Sequence, residues 1–377
     1  MFLTADTIHD GKQFLESGTV LELNAEGTIL ALHHHVPEAT HYEGILCPGF
    51  VNAHCHLELS HMKGVIPRHT GLIPFLQQVM KDRGNFTEAG KKEARTAAAE
   101  MLWEQGVSAI GDISNTTDCL DIRAKGKLQM HTFVEALGFN EVFAERSFDF
   151  AVNTYQAYAQ QLNAGPNRQS ITAHAPYSVS RKLFGLISDF DERSLLSIHN
   201  QECDAENQFY RDKTGAVNEL LDSLHIDASG FQPSRRSSLQ TYTEWIAGTH
   251  PVIFVHDTFT SKEDITFAMQ RFEQVYFCLC PNANLYIENT LPDVRMFMEA
   301  GAHICIGTDS LASNDRLCMY SELQTLKQHF DVDWELLLQW ACCNGARALQ
   351  MENRVGRFLP GTQPGVVQIH QGVKRLI

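Results

Sequence analysis

The chain has 377 residues, 44% hydrophobic and 20% charged, which is typical of a globular protein and excludes disordered and collagen-like classes. Its 30 basic and 45 acidic side chains give a formal net charge of −15, which disfavours nucleic acid or an anionic membrane as a partner. No run reaches the roughly 18 apolar residues that a membrane-spanning helix needs.

The first residues and the cysteines together predict a cellular compartment. The start, from Met1 to Asp6, has neither the basic segment nor the apolar segment of a secretory signal. The ten cysteines then indicate reduced thiols, because disulfides are rare in the cytosol. We therefore expect a cytoplasmic protein. Its oligomeric state is left open, with a homodimer as one option.

Both ends of the chain have the pattern of β-structure. Residues 19–23 and 28–32 are apolar runs on either side of a turn that contains Gly27, which predicts a hairpin. Residues 365–369 form a similar run near the C-terminus. We predict that the two ends, 1–47 and 352–377, combine into one small β-sandwich domain.

The middle of the chain, residues 48–351, alternates between strand-length apolar runs and helical patterns such as 91–105 and 334–350. Eight such alternations are typical of an α/β fold of the (β/α)8 TIM-barrel type. The predicted strands cover residues 47–56, 107–114, 128–137, 169–177, 195–202, 252–258, 274–284 and 303–310.

Two connections, residues 57–90 and 203–251, are longer than a single crossover helix requires. Long connections after the strands of a barrel usually serve as lids or as walls of the substrate site. We expect that role for one or both.

Polar side chains follow most of the predicted strands, at the carboxyl end where barrel active sites form. These residues are His54, His56, Glu135, His174, His199, Glu202, His256, Asn282, Asn284 and Asp309. Their common position at one face of the barrel is stronger evidence for a site than any single residue.

The histidines among them indicate a metal site. His54 and His56 are two residues apart on a strand, so both side chains point to the same side. Either one alone, or His199 alone, is more often a structural histidine than a ligand. Together with His256 and Asp309 they indicate a site of three imidazoles and one carboxylate. That set suits one divalent ion, Zn²⁺ or Fe²⁺, with an open position for water.

Three segments then resemble the signature motifs of the amidohydrolase superfamily: residues 49–56 (GFVNAHCH), 255–257 (VHD) and 307–314 (GTDSLASN). The resemblance covers nearly the whole chain, including a β domain split between the ends. It implies a metal-dependent hydrolase. Residues 199–202 (HNQE) and 174–178 (HAPYS) resemble elements of its deaminase branch. Binuclear members carry a bridging lysine where this chain has His174, so the resemblance implies a single ion.

The resemblance also implies a role for each site residue. The implied metal ligands are His54, His56, His199 and Asp309. Asp309 would also accept the proton of the attacking water, and His256 would orient the resulting hydroxide. Glu202 would protonate a ring nitrogen of an amino-substituted heterocycle, which leads to the release of ammonia.

The sequence motifs specify the substrate less closely than the type of reaction. Residues 52–60 and 307–314 are most similar to the aminodeoxyfutalosine deaminases, followed by the 5′-methylthioadenosine/S-adenosylhomocysteine deaminases. This similarity implies a small-molecule substrate, an adenine nucleoside derivative such as aminodeoxyfutalosine. The candidate substrate contacts are Glu58, His61, Glu135 and His174. Each of the last three could equally be a structural residue.

Other functions remain open at this point. A hydrolase of the same branch could act on a pterin, a free purine or a chloro- or amino-triazine. Glu202 does not distinguish these activities, because protonation of the ring assists the departure of chloride, an alkylamine and ammonia alike. A barrel that has lost its metal and its activity is the third hypothesis. The complete set of histidines and Asp309 argues against it, because a relic should lack at least one of them.

Overall fold

The computed structural model describes residues 1–161 and 167–377. Its strands are β1 (Phe2–Ile8), β2 (Thr19–Leu23), β3 (Ile29–His34), β4 (Thr40–Pro48), β5 (Phe50–Cys55), β6 (Val107–Ser114), β7 (Gln129–Ala136), β8 (Arg168–Ala173), β9 (Leu196–Asn200), β10 (Val252–His256), β11 (Val275–Leu279), β12 (Ile304–Ile306), β13 (Val366–Ile369) and β14 (Val373–Arg375).

The α-helices are α1 (Leu72–Asp82), α2 (Glu88–Glu104), α3 (Leu120–Lys125), α4 (Ala144–Ala159), α5 (Arg181–Phe190), α6 (Asp204–Asp212), α7 (Ala216–Ser223), α8 (Ser238–Tyr242), α9 (Lys262–Arg271), α10 (Pro281–Ile287), α11 (Val294–Glu299), α12 (Met319–Phe330), α13 (Trp334–Gln339) and α14 (Gly345–Ala348). Short 3₁₀ turns cover Leu57–Met62, Glu141–Phe143, Pro176–Ser178 and Thr243–Trp245, and a π-helical turn covers Trp340–Asn344.

The two ends of the chain share one six-stranded sheet, in the order β14-β13-β4-β1-β2-β3. The predicted hairpin is present as the antiparallel pair β2–β3, with Leu21 opposite Leu32. The C-terminal strand β13 pairs antiparallel with β4, with Val367 opposite Cys47. This sheet has its own small core, which includes Leu21 and Phe358. The two-sheet sandwich and the domain boundaries stay predictions.

The eight predicted central strands all form, and they are arranged in two parallel four-stranded sheets, β5-β6-β7-β8 and β9-β10-β11-β12. An isolated parallel bridge joins Cys55 to Asp309, next to the ends of β5 and β12. At the other junction, between β8 and β9, the Thr172 hydroxyl donates to the Ser197 carbonyl oxygen at 2.7 Å. The two ladders remain separate, so closure into a barrel stays a prediction.

The central strands are mostly buried on both faces because other elements cover both faces, as is usual for parallel sheets. Every residue of β6 is buried, for example. The ten cysteines are also buried, and none forms a disulfide. In the residues described, no helix is both long enough and apolar enough to cross a bilayer.

Two predicted elements are shorter than the sequence suggested. The seventh central strand ends at Leu279, because Pro281 occupies the first turn of α10, a position that proline favours. Asn282 and Asn284 therefore lie on a helix that follows the strand. The helix predicted over 334–350 is interrupted by the π-helical turn, where the Asn344 side chain donates to the Ile304 carbonyl oxygen at 2.7 Å.

Candidate active site

Four polar side chains converge at the carboxyl ends of β5, β9 and β12. His54 and His56 come from the end of β5, His199 from β9, and Asp309 follows β12. All four are buried, and one potential ligand atom from each lies within 4.8 Å of the others. These are the four residues that the sequence resemblance implied as metal ligands.

The distances within this cluster fit a divalent ion. His56 Nε2 lies 3.1 Å from His54 Nε2 and 3.2 Å from His199 Nε2. Asp309 Oδ1 lies 3.3 Å from His56 Nε2 and 3.6 Å from His54 Nε2. Two nitrogen ligands of a tetrahedral zinc ion are about 3.3 Å apart, given bond lengths near 2.05 Å. The cluster therefore has the dimensions of a zinc site.

The protonation states favour the same conclusion. Burial lowers the pKa of His54, lowers that of His56 to about 3, and holds that of His199 well below its ordinary range. Burial alone would raise the pKa of Asp309, but its hydrogen bond with His54 and the adjacent His56 keep that pKa well below normal. Neutral imidazoles and an ionised carboxylate are the forms that bind metal ions.

A backbone contact orients the ligand from β9. The Nδ1 atom of His199 lies 2.9 Å from the carbonyl oxygen of His174, to which it donates. The lone pair is therefore on Nε2, the atom that faces His56. Such contacts to the second ring nitrogen set the tautomer of metal-binding histidines.

His256, at the end of β10, is oriented in a similar way without belonging to the ligand cluster. Its Nδ1 donates to Asn284 Oδ1 at 2.8 Å, which leaves a lone pair on Nε2. Within residues 1–161 and 167–377, this buried Nε2 has no hydrogen-bond partner. Glu202 Oε1 is 3.6 Å away. The imidazole can therefore accept a hydrogen bond from a molecule in the cavity.

Glu202 follows β9 and faces the same cavity. Burial raises the pKa of its carboxyl group to about 7. A substantial fraction of Glu202 is therefore protonated near neutral pH, unlike an exposed glutamate. A protonated carboxyl group beside a candidate metal site is able to act as a general acid.

A cavity of about 340 Å³ lies over these residues. Its floor is polar and includes His56, His199, Glu202, His256 and Asp309. Its walls are mostly apolar and come from the two long connections, through α1 and α7. The apolar wall residues from these connections are Leu59, Leu72, Phe75, Leu76, Val79, Met80, Leu220, Leu221, Leu224 and Ile226.

The four predicted substrate contacts divide into two pairs. Glu135 and His174 line the cavity. Glu58 and His61 lie outside the cavity lining and support the residues that form it. The Glu58 carboxylate accepts from the backbone N–H of Asn115 at 2.8 Å, and His61 Nε2 lies 3.2 Å from the carbonyl oxygen of Arg83.

Sequence reasoning missed Asn115 and Arg83, which both line the cavity. The Asn115 amide donates to Glu135 Oε2 at 2.8 Å. Its position directly after β6 is a signal that could have identified it. Arg83 lies just past the end of α1, and no local pattern distinguishes it from other surface arginines.

Comparison with known proteins assigns the chain to a family. The family model described as the amidohydrolase family matches residues 45–369. The chain is 23% identical over 343 residues to the adenosine deaminase of Helicobacter pylori, covering 89% of this chain and 81% of the relative. It is 25% identical over 370 residues to the aminodeoxyfutalosine deaminase of Deinococcus radiodurans, covering 92% and 85% respectively.

Solved structures have the same fold. The TM-score is 0.82, at 20% identity, with the Helicobacter pylori aminofutalosine deaminase in complex with methylthio-coformycin, and the match covers 98% of this chain and 93% of that one. The TM-score is 0.74, at 19% identity, with a Xanthomonas campestris adenosine deaminase with bound zinc, and the match covers 97% of this chain and 83% of that one. The family match spans most of the chain and includes the cluster of three histidines and Asp309, so this protein is a hydrolase of C–N bonds in cyclic amidines and belongs to the amidohydrolase family.

Proposed function

We propose that the protein is a metal-dependent deaminase that converts an adenine nucleoside derivative, such as aminodeoxyfutalosine, to the oxo product and ammonia. The observation that carries this proposal is that the Glu202 carboxyl group lines the cavity over the cluster of three histidines and Asp309. The names of the relatives, which are deaminases of adenine nucleosides, support the same substrate class.

The metal is proposed to be one Zn²⁺ per chain, with Fe²⁺ as the alternative that has the same ligand preference. When bound by His54, His56, His199 and Asp309, such an ion supplies a Lewis acid that lowers the pKa of water toward neutrality. A single ion is proposed because the position after β8 holds His174 and not a lysine. The ionised Asp309 is the proposed base, and His256 Nε2 accepts a hydrogen bond from the attacking water.

Glu202 is the proposed general acid. It donates its proton to the ring nitrogen next to the amino-bearing carbon, which makes that carbon electrophilic. Water adds its oxygen to the carbon, one of its protons passes through Asp309 to the departing amino group, and the other returns to Glu202 as the carbonyl forms. The C–N bond then breaks, the amino group leaves as ammonia, and the ring carbon keeps the oxygen as a carbonyl.

The extent of the cavity favours a nucleoside over a free base. A cavity of about 340 Å³ falls within the ~300–1,000 Å³ range of small-molecule sites. The ring must lie against the polar floor for Glu202 to reach it, which leaves α1 and α7 to contact the rest of the substrate. Glu135 and His174 are the proposed polar contacts. A bare base would leave those apolar walls unoccupied.

The same proposal includes the architecture and setting expected from the sequence. We infer that the two parallel sheets are halves of one (β/α)8 barrel over residues 48–351, with the Cys55–Asp309 bridge marking one junction. Residues 1–47 and 352–377 form the second domain. The enzyme is proposed to act in the cytoplasm on a small molecule and water, without nucleic acid or membrane as a partner.

A substrate panel tests the proposal. Ammonia release is measured with zinc-loaded protein on aminodeoxyfutalosine, 5′-methylthioadenosine, adenosine, guanine, isoxanthopterin and an aminotriazine, at matched concentrations. We expect the highest kcat/KM on an adenine nucleoside. A preference for guanine, the pterin or the triazine would refute the nucleoside assignment, and the absence of ammonia from every compound would refute the deaminase.

A further inference from the structure

The spacing between His199 and Glu202 poses a geometric problem. Side chains on an extended strand alternate between faces, so residues three apart point in opposite directions. Both His199 and Glu202 nevertheless line the same cavity. The strand ends at Asn200, and the backbone at Gln201 adopts a left-handed conformation with a φ of 45°. That turn directs Glu202 toward the cavity.

Gln201 is held in this conformation by hydrogen bonds to all of its polar atoms. Its backbone N–H donates to Glu206 Oε1 at 3.0 Å, and its carbonyl oxygen accepts from the N–H of Phe259 at 2.9 Å. Its side-chain amide donates to Asn207 Oδ1 and Asp264 Oδ2, both at 3.0 Å. Its side-chain oxygen accepts from the Thr260 hydroxyl at 2.7 Å. The side chain is fully buried.

The groups that hold Gln201 lie on two helices and are themselves anchored. Glu206 and Asn207 belong to the first turn of α6, and Asp264 belongs to the first turn of α9. Asp264 also forms the capping box of α9 with Ser261. Gln201 is therefore clamped between the beginnings of α6 and α9, which are rigid relative to a free loop.

Glu202, in contrast, has no anchor of its own. In the described part of the chain its carboxyl group makes no hydrogen bond, and His256 Nε2 lies 3.6 Å from its Oε1. Its location in the cavity is therefore set by the course of the backbone between β9 and α6. Because Gln201 is the residue with the left-handed turn, Gln201 determines where the carboxyl group lies.

We propose that Gln201 is a positioning residue for Glu202, acting through its left-handed backbone and the clamp formed by α6 and α9. Gln201 touches neither the metal ligands' coordinating atoms nor the cavity, so its effect on the reaction passes through Glu202. This inference rests on the proposed function, in which Glu202 is the general acid.

A double-mutant cycle of Gln201→Gly and Glu202→Gln tests the inference. Glycine permits the left-handed backbone but removes the clamp, so Glu202 loses its defined position. We expect Gln201→Gly to lower kcat by about 10²-fold, the scale of an ångström-sized misplacement, with metal content and KM nearly unchanged. In the Glu202→Gln background, Gln201→Gly should cause no further loss of kcat.

The assay uses the adenine nucleoside from the panel that wild-type protein deaminates fastest, and metal is measured by elemental analysis of the same samples. Independent, multiplying effects of the two substitutions on kcat would overturn the positioning role. An unchanged kcat in Glu202→Gln alone would instead refute the proposed function. The two failures are therefore distinguishable.

Two further variants keep the inference testable if the Gln201→Gly protein does not fold. Thr260→Val removes one hydrogen bond to Gln201 and should lower kcat by about tenfold, the scale of lost supporting contacts, again only while Glu202 is present. An unchanged kcat in Thr260→Val, with Gln201→Gly unfolded, would overturn the proposal. Asn344→Ala is the matched control, because it removes a buried amide contact to the Ile304 carbonyl at the far end of β12 from Asp309. Its effect on kcat, if any, should be the same in both backgrounds.

Discussion

Two strand ends supply residues to the same site in different ways. At the end of β5, His54 and His56 are two residues apart, and the pleat of the strand alone directs both toward His199 and Asp309. At the end of β9, His199 and Glu202 are three apart, and the left-handed Gln201 is needed to bring the second side chain to the cavity. The first arrangement follows from local geometry, whereas the second depends on distant side chains.

The β9 end also carries a conformational cost that the β5 end does not. A left-handed residue other than glycine costs about 1–2 kcal/mol, and each buried hydrogen bond returns about 0.5–1.5 kcal/mol. The hydrogen bonds around Gln201 therefore offset its backbone strain. His256 and Asp309 also have positive φ, at 74° and 56°. Strained backbone of this kind is concentrated at functional sites.

The largest expected effect is shared by both strand ends. His56→Ala and His199→Ala each remove a proposed metal ligand, so both variants should lose the bound metal. Activity should fall by more than the ~10⁴-fold upper limit for a positioned acid or base. Elemental analysis after dialysis measures the metal. His61→Ala is the control, since His61 lies outside the cavity lining, and a metal-free His61→Ala protein would contradict the ligand assignment.

The second largest effect is expected only at the end of β9, which supplies Glu202. Glu202→Gln should retain one equivalent of metal while kcat falls by about 10²–10⁴-fold, because only the general acid is lost. Burial raises the pKa of Glu202 to about 7, so the active, protonated form disappears as the pH rises through about 7. The kcat of wild-type protein should therefore decline above neutrality, and the variant should lack this decline. A variant with the same basic limb would contradict the role.

A smaller effect is expected at the neighbouring strand end, where Asn284 orients His256. Asn284→Leu removes the acceptor for His256 Nδ1 and should lower kcat by about 10–100-fold with the metal retained, as for other supporting contacts. Asn282→Leu is the matched control on the same helix, because the Asn282 amide donates to Ser321 and not to His256. Equal losses in both variants would show that the helix, and not the contact, matters.

The smallest effect concerns stability at the β9 end. Burial raises the pKa of Glu206 from its ordinary 4.5 to about 8, so the folded protein binds this proton more tightly than the unfolded chain. The stabilisation of the folded state by this proton is fully present below pH 4.5 and is lost progressively as the pH rises to about 8.

Glu206→Gln imitates the protonated form and should remove this dependence. The Tm of wild-type protein, taken relative to the variant, should therefore fall from about pH 4.5 to pH 8. Thermal unfolding followed by circular dichroism at several pH values measures it. Glu145→Gln, at an exposed carboxylate paired with Lys182, should show no comparable trend. A constant difference between wild type and Glu206→Gln would contradict the raised pKa.

The cluster of His54, His56, His199 and Asp309 was predictable from the sequence because its residues lie in or shortly after regular strands. The histidines lie at the ends of β5 and β9, Asp309 follows β12, and the parallel order of the strands brings those ends together. The predicted contacts Glu58 and His61 failed to reach the cavity for the opposite reason. They follow β5 in a short 3₁₀ turn, where the alternation of the strand no longer determines side-chain direction.

The sequence by itself determined the strands, the residues of the histidine–aspartate cluster and the chemical class of the enzyme, because each of these depends on local periodicity and on residue type. Only the tertiary structure decided how Glu202 reaches the cavity, that Asn284 supports His256, and that Asn115 and Arg83 line the walls. Gln201 and Asp264 are 63 residues apart in sequence. The direction of a side chain beyond a strand end is set by the backbone torsion there. At Gln201 that torsion is stabilised by long-range contacts such as the one with Asp264, which local sequence patterns do not encode.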